Sequence, residues 1–299
     1  MIAEHDRAAM VALLRTGRRP WVEYAALVEE RGSAEAVFDE ELGSPGGQTT
    51  LLPEPAESAD ELIETAHSDL ERWAAQGMRL VTVLDSDYPP NLRAVHDRPP
   101  MVFVAGTLRQ SDARSVAVVG ARQATPCGIE QAAKIADHLV ERKYTVVSGL
   151  AAGIDTAAHT TALSRHGRTL AVIGTGLARA YPPQNEPLQR RIADQCAVVS
   201  QFWPDSPPTR RSFPMRNAVM SGIALATVVV EASHTSGARI QTRLALAQGR
   251  PVFLLESLVD RQAWARDYAN RAGTHVVHEP EQITNVIDRL MTSDSPLVA

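Results

Sequence analysis

Residues 115–155, SVAVVGARQATPCGIEQAAKIADHLVERKYTVVSGLAAGID, decide how this chain folds. Ser115–Val119 is an apolar run of strand length that stops at a Gly120-Ala-Arg122 turn. Helical spacing follows over about 128–142, then a second apolar run ends at Ser148, and Gly149-Leu-Ala-Ala-Gly153-Ile-Asp155 opens another helix. Runs that are apolar on both faces read as neighbouring parallel strands buried in a sheet. Two glycine-bearing turns would then open on one edge, where free N–H groups at helix starts favour an anion.

The alternation continues outward from there. Strands are expected at 115–119, 144–148, 169–173, 197–200, 226–231, 251–255 and 274–277. Helices are expected at about 128–142, 154–165, 186–194, 216–224, 237–248, 260–271 and 280–290. This pattern predicts an α/β fold, an extended Rossmann-like, doubly wound and mostly parallel sheet. Ligands of such sheets sit outside the carboxyl ends of the strands. Upstream, 78–84 reads as a strand, 85–92 as a proline-directed turn and 101–105 as a short apolar run, together a linker with strand character. Helical spacing over 1–40 and 58–76 predicts a small SAM-like N-terminal helical domain at 1–76, ahead of a sheet domain at 77–299. The Gly-, Pro- and Ser-bearing stretch at 42–55 reads as a surface loop.

The 299 residues and 44% hydrophobic content suffice for a packed core. The net charge of −5 hides an asymmetry. Residues 1–110 carry 10 arginines against 19 acids, net −9, whereas 111–299 carry 20 basic residues against 16 acids, net +4. Cys127 and Cys196 form no metal-ligand pattern and imply no disulfide framework, so a reducing cytoplasm is the expected setting. No signal peptide and no membrane span are read, and no metal or cofactor is expected.

The chemistry-bearing residues cluster at the expected carboxyl edge. Gly120 and Arg122 offer a turn with a charge-assisted fork, or simply a tight turn with a solvated arginine. Ser148, Gly149 and Gly153 let backbone approach a ligand, and Asp155 either caps its helix or orders the loop. His159 reads as a structural histidine. Gly174 and Gly176 permit a flat approach, and Tyr181 either stacks on a base or packs within its loop. Arg210, Arg211, Phe213, Arg216 and Asn217 form a phosphate-and-base surface or a solvated face. Ser236 and Gly237 open a further helix, where Arg239 extends the groove or stays on the surface. No catalytic constellation, P-loop or paired carboxylates stand out, which suits binding better than turnover.

Assembled in order, these residues resemble the DNA-processing protein A family (DprA, also called Smf). The resemblance rests on Gly120-Ala-Arg122, Ser148–Asp155, Gly174–Leu177 with Tyr181-Pro-x-x-Asn185, Phe213-Pro-x-Arg-Asn217, and Val229–Ala232 with Ser236-Gly237. It covers roughly 78–255. It implies a single-stranded-DNA-binding protein, usually a homodimer, that protects the strand and loads the recombinase RecA onto it during natural transformation. By position, Arg122, Ser148, Gly149, Gly153, Phe213, Arg216 and Asn217 would line the pocket. This chain departs from the family pattern at Ala218, Gln201, 238–241 and 255–258, and the residues after Leu290 leave no room for a winged helix. The rival reading is a sensor or hydrolase for a nucleotide or nucleotide derivative, in anti-phage defence or a stress system, with Glu231 as a polar anchor to a ribose. A third is a scaffold whose acidic helical domain docks a protein partner.

Overall fold

The computed structural model describes residues 4–43 and 58–293. Its strands are β1 (Met78–Thr82), β2 (Met101–Gly106), β3 (Ser115–Val119), β4 (Thr145–Ser148), β5 (Thr169–Val172), β6 (Ala197–Ser200), β7 (Ala226–Val229), β8 (Val252–Leu255) and β9 (Thr274–Val277). They form one sheet in the order β1-β2-β6-β5-β4-β3-β7-β8-β9. Pairs β1–β2 and β2–β6 are antiparallel, and every other pair is parallel. Every residue of β3, β4, β5, β6, β7 and β8 is buried, as helices on both faces require.

Helices α1 (Glu4–Thr16), α2 (Trp21–Arg31), α3 (Ala34–Gly43) and α4 (Ala59–Ala75) precede the sheet, and the short α5 (Pro90–Arg93) lies between β1 and β2. The others are α6 (Pro126–Glu141), α7 (Ile154–Ser164), α8 (Glu186–Gln195), α9 (Ser212–Ile223), α10 (Gly237–Ala247), α11 (Glu256–Arg261), α12 (Ala263–Ala269) and α13 (Pro280–Ser293). Ser58 starts α4 with a capping box: its hydroxyl accepts from Glu61 N, and Glu61 accepts from Ser58 N at 2.8 Å. The helical segment is seated on the antiparallel edge through aromatic rings. Trp73 meets Phe103 edge-on at 5.0 Å, and Trp203 lies 6.0 Å from both. Arg15 stacks over Trp203 at 5.4 Å, and Arg98 and Glu29 form an ion pair across the same junction.

Three expectations are corrected. The stretch read as a linker with strand character supplies β1 and β2, which extend the sheet from β6; largely apolar runs bury more surface paired than strung along a connection. The helix expected from 216 begins at Ser212 instead. Thr209 and Ser212 exchange side-chain-to-backbone hydrogen bonds at 3.0 and 3.1 Å, and Pro214 falls in the first turn, where its missing N–H costs nothing. The helix expected over 260–271 is two, parted by Gln262 in an extended conformation. The expected 42–55 loop lies outside the described residues from position 44 on.

Candidate nucleic-acid interface

From β3 the chain winds through β4, β5 and β6 to one side, and β7, β8 and β9 fill the other. The crevice between the carboxyl ends of β3 and β7 is therefore the switch point at which doubly wound sheets bind ligands. Around it the connecting loops are locked together. Gly153 sits at φ 78°, and a side chain there would collide with the carbonyl of Ala121. Ile154 N donates to that same carbonyl at 3.2 Å. Asp155 Oδ2 accepts from Gly149 N (3.1 Å) and Ala151 N (3.3 Å), closing the loop onto the start of α7. Leu150, left-handed at φ 57°, is held by Asn185, whose side-chain N–H donates to its carbonyl at 2.8 Å.

Arg216 lies beneath this loop. It is 6% exposed, donates from Nη1 to the Val172 carbonyl at 2.8 Å, and rests flat on Gly149, where any Cβ would occupy its guanidinium. Burial pushes the Asp155 carboxyl up and the Arg216 guanidinium down, and each charge opposes the other's shift. Arg216 thus props the floor of the site from inside.

Above the floor stand the exposed, cationic Arg122 and two aromatic rings, Tyr181 exposed and Phe213 half-buried. The Arg122 guanidinium stands 5.1 Å from the Phe213 ring centre and 5.9 Å from that of Tyr181; the rings are 5.4 Å apart. Phe213 lies over Gly174, where a Cβ would come within 2.8 Å of the ring. The result is a shelf of two rings and a planar cation beside a small crevice of about 80 Å³ that Gly149, Gly174 and Arg216 help to line. Among the described residues, Arg122, Arg210, Arg211 and Arg261 have no carboxylate within ion-pair distance. At the opposite edge the arginines are neutralised: Arg114 and Arg142 pair with Asp288 at 3.0 and 3.2 Å, and Arg168 pairs with Asp112.

The structure brings together most of the residues singled out in the sequence and sorts them by depth. Arg122, Gly149, Gly174, Tyr181, Phe213 and Arg216 line the small crevice. Gly120, Asp155, Arg210, Asn217, Ser236 and Gly237 line a larger cavity beside it. Ser148 is fully buried and its hydroxyl donates to the Val118 carbonyl at 2.6 Å, so it faces the sheet and not a ligand. Gly176 is also buried, with its N–H on the Ser206 carbonyl at 2.9 Å. Arg211 and Arg239 line neither space, and Arg239 hydrogen-bonds His234 at 3.1 Å. Sequence reasoning missed Gln241 and Arg261, which line the larger cavity from α10 and α11. Helical spacing places Gln241 one turn beyond Gly237, a signal that was available.

His159 is fully buried, hydrogen-bonded through Nδ1 to Thr169 Oγ1 at 2.7 Å. The Thr169 hydroxyl already donates to the Val146 carbonyl, so Nδ1 carries the proton. Burial, with the charge of Arg216 adding to it, pulls the imidazole down to about 3. A folded value below the unfolded one means the unfolded chain takes up the proton first, so stability is complete above pH 6.5 and falls as the pH drops. About 2 kcal/mol should be lost between pH 7 and pH 5 from this residue. Denaturant unfolding of the wild type and His159→Asn at the two pH values checks it, since equal losses in both would remove His159 as the cause.

The profile of the DNA recombination-mediator protein A family matches residues 79–288. The chain belongs to this family. The protein Smf of Synechocystis is 39% identical over 197 residues, 64% of this chain; the match spans 50% of that relative's length, so the chain reaches across half of it. The crystal structure of DNA processing protein A from Streptococcus pneumoniae superposes with a TM-score of 0.73 at 27% identity, covering 95% of this chain and 98% of that one. DNA processing protein A from Helicobacter pylori, solved for its single-stranded DNA binding mode, shares the fold with a TM-score of 0.61 at 23% identity, over 72% of this chain and 96% of that one. No helix among the described residues is long and apolar enough to cross a membrane. No group of three or more His, Cys, Asp and Glu among them could hold a metal ion.

Proposed function

We propose that this chain binds single-stranded DNA across the Arg122–Phe213–Tyr181 shelf, as a recombination mediator that protects the strand and passes it to a RecA-type recombinase. The observation that carries the reading is the shelf itself: Arg122, without a carboxylate partner among the described residues, set against the exposed ring of Tyr181 and the half-buried ring of Phe213 at the mouth of the switch-point crevice. Rings accept the faces of unstacked bases of any sequence, and arginines neutralise the phosphates between them. A duplex hides its base faces and is expected to bind poorly. Membership of the recombination-mediator family supports the reading, as does the Helicobacter pylori protein, which shares the fold and binds single-stranded DNA. A cytoplasmic homodimer, action in natural transformation and delivery to RecA belong to the proposal through the same family resemblance.

Three arginines on the strand (Arg122, Arg210, Arg211) give a log–log salt slope of about −2, so affinity should fall roughly 20-fold between 50 and 200 mM salt. Fluorescence anisotropy of a labelled oligo-thymidine at the two concentrations, with duplex as competitor, measures this. Salt-independent binding, or a duplex that competes equally, would refute the reading.

A further inference from the structure

A separate cavity of about 380 Å³ opens at the other ends of the parallel strands, where Ala113 leads into β3 and Ile223 towards β7. Its volume falls within the roughly 300–1,000 Å³ of small-ligand sites. Pro90 and the half-buried Leu108 wall it, and the buried Leu170 and Ile223 lie at its floor. Hydrogen bonds keep these walls apart. The Asn91 side-chain amide donates to the Ala113 carbonyl at 2.7 Å and the Ile223 carbonyl at 2.9 Å, and Arg250 Nη2 donates to the Asn91 carbonyl at 2.8 Å. An apolar hollow pinned open in this way costs free energy until an apolar body fills it.

Its polar groups are few. Two carboxylates line it, and both are engaged within the fold: Asp87 pairs with Arg79 at 2.6 Å, and Asp112 accepts from Arg168 Nη2 at 2.6 Å, Arg109 N at 2.8 Å and Thr145 Oγ1 at 3.0 Å. The buried Tyr88 hydroxyl donates to the Pro99 carbonyl at 2.6 Å. Arg109 is the exception among the neutralised arginines of this edge: it is exposed, lines the cavity, and has no carboxylate within ion-pair distance among the described residues. Asn91 has both amide protons engaged, and its Oδ1 stays open, an acceptor that no described residue fills. One cation, one acceptor and an apolar interior match a carboxylate on a carbon that also bears an N–H and an apolar side chain. We infer that this cavity binds an apolar amino-acid residue by its free α-carboxylate, as an amino acid or as the last residue of a peptide. The carboxylate takes the Arg109 fork, the α-nitrogen donates to Asn91 Oδ1, and the side chain fills the space between Pro90, Leu108 and Ile223. The inference does not rest on DNA binding, and a failure of the oligo-thymidine assay would leave it standing.

The test is a ligand-observed NMR titration of the full chain with N-acetyl-L-leucine, N-acetyl-L-phenylalanine and N-acetyl-L-tryptophan, the primary amides of all three, and the three free amino acids. At least one acid, acetylated or free, should bind with a Kd of about 1 mM or below, the ligand-efficiency range for a molecule of this size. The amide of an acetylated acid that binds should be about tenfold weaker, because the charge-assisted fork is lost. Arg109→Ala, a change at an exposed position that spares the fold, should weaken the acids about tenfold and leave the amides where they were. The preferred form separates the two sources: a tighter acetylated acid marks a chain end, and a tighter free acid marks an amino acid. No acid binding at about 10 mM, amides that match their acids, or an Arg109→Ala variant with wild-type affinity would each overturn the assignment.

Discussion

An Arg216→Ala variant is expected to lose about 3–5 kcal/mol of folding free energy, although the sequence alone reads Arg216 as a pocket-wall residue whose loss weakens binding without unfolding the chain. Arg216 is buried under the Gly149 loop, spends a hydrogen bond on Val172, and supplies the positive charge that opposes the burial of Asp155. Removing it leaves Asp155 buried without that charge and opens a hole against Gly149, and both effects unfold rather than merely weaken. Lysine at 216 keeps the charge but not the flat fork, so it should recover part of the loss. Denaturant unfolding of the alanine, the lysine and the Arg216→Ala/Asp155→Asn double variant gives the answer. If the alanine change costs under about 1 kcal/mol, or if its effect simply adds to that of Asp155→Asn, the two groups are not coupled.

The second large effect is on affinity. Phe213→Ala should weaken oligo-thymidine binding by roughly 5- to 150-fold, the equivalent of about 1–3 kcal/mol for one stacked base. Arg122→Ala should weaken it and also make the salt dependence shallower by about 0.7 in log–log slope, because one phosphate loses its counter-charge. Phe213→Ala leaves that slope unchanged, since a ring carries no charge. Paired titrations at two salt concentrations read both quantities at once. A phenylalanine variant with wild-type affinity would remove the stacking shelf, and an arginine variant with an unaltered slope would take Arg122 off the phosphates.

The parallel half of the sheet is legible because its strands are apolar on both faces and end at glycine-bearing turns, a signal that needs no distant partner. Gly120, Gly149 and Gly153 are placed correctly at the edge for the same reason. The side on which a helical residue faces was harder. Arg210, Arg211 and Arg216 look alike as a run, yet α9 begins at Ser212 and turns Arg216 inward while the other two stay outside. Pro214 reads as a breaker and hides that start. Ser148 shows the same limit within a strand: the polar residue closing an apolar run looks like a ligand contact, and its hydroxyl instead caps a neighbouring strand's carbonyl. The seat of the helical segment could not be read at all, because Trp21, Trp73, Phe103 and Trp203 come from four separate stretches with no local signature.

The two ends of the strands differ in how their arginines are used, and the difference acts before contact. Arg114, Arg142 and Arg168 at the amino ends are cancelled by Asp112 and Asp288, and residues 1–110 hold 19 acids against 10 arginines, while Arg122, Arg210, Arg211 and Arg261 at the carboxyl ends have no carboxylate partner among the described residues. The molecule therefore carries a lopsided potential that orients a polyanion as it diffuses in. Under the proposed function, encounters that begin on the helical segment should be repelled and those that begin over α9 captured. Added salt should accordingly slow association with oligo-thymidine more than it hastens release.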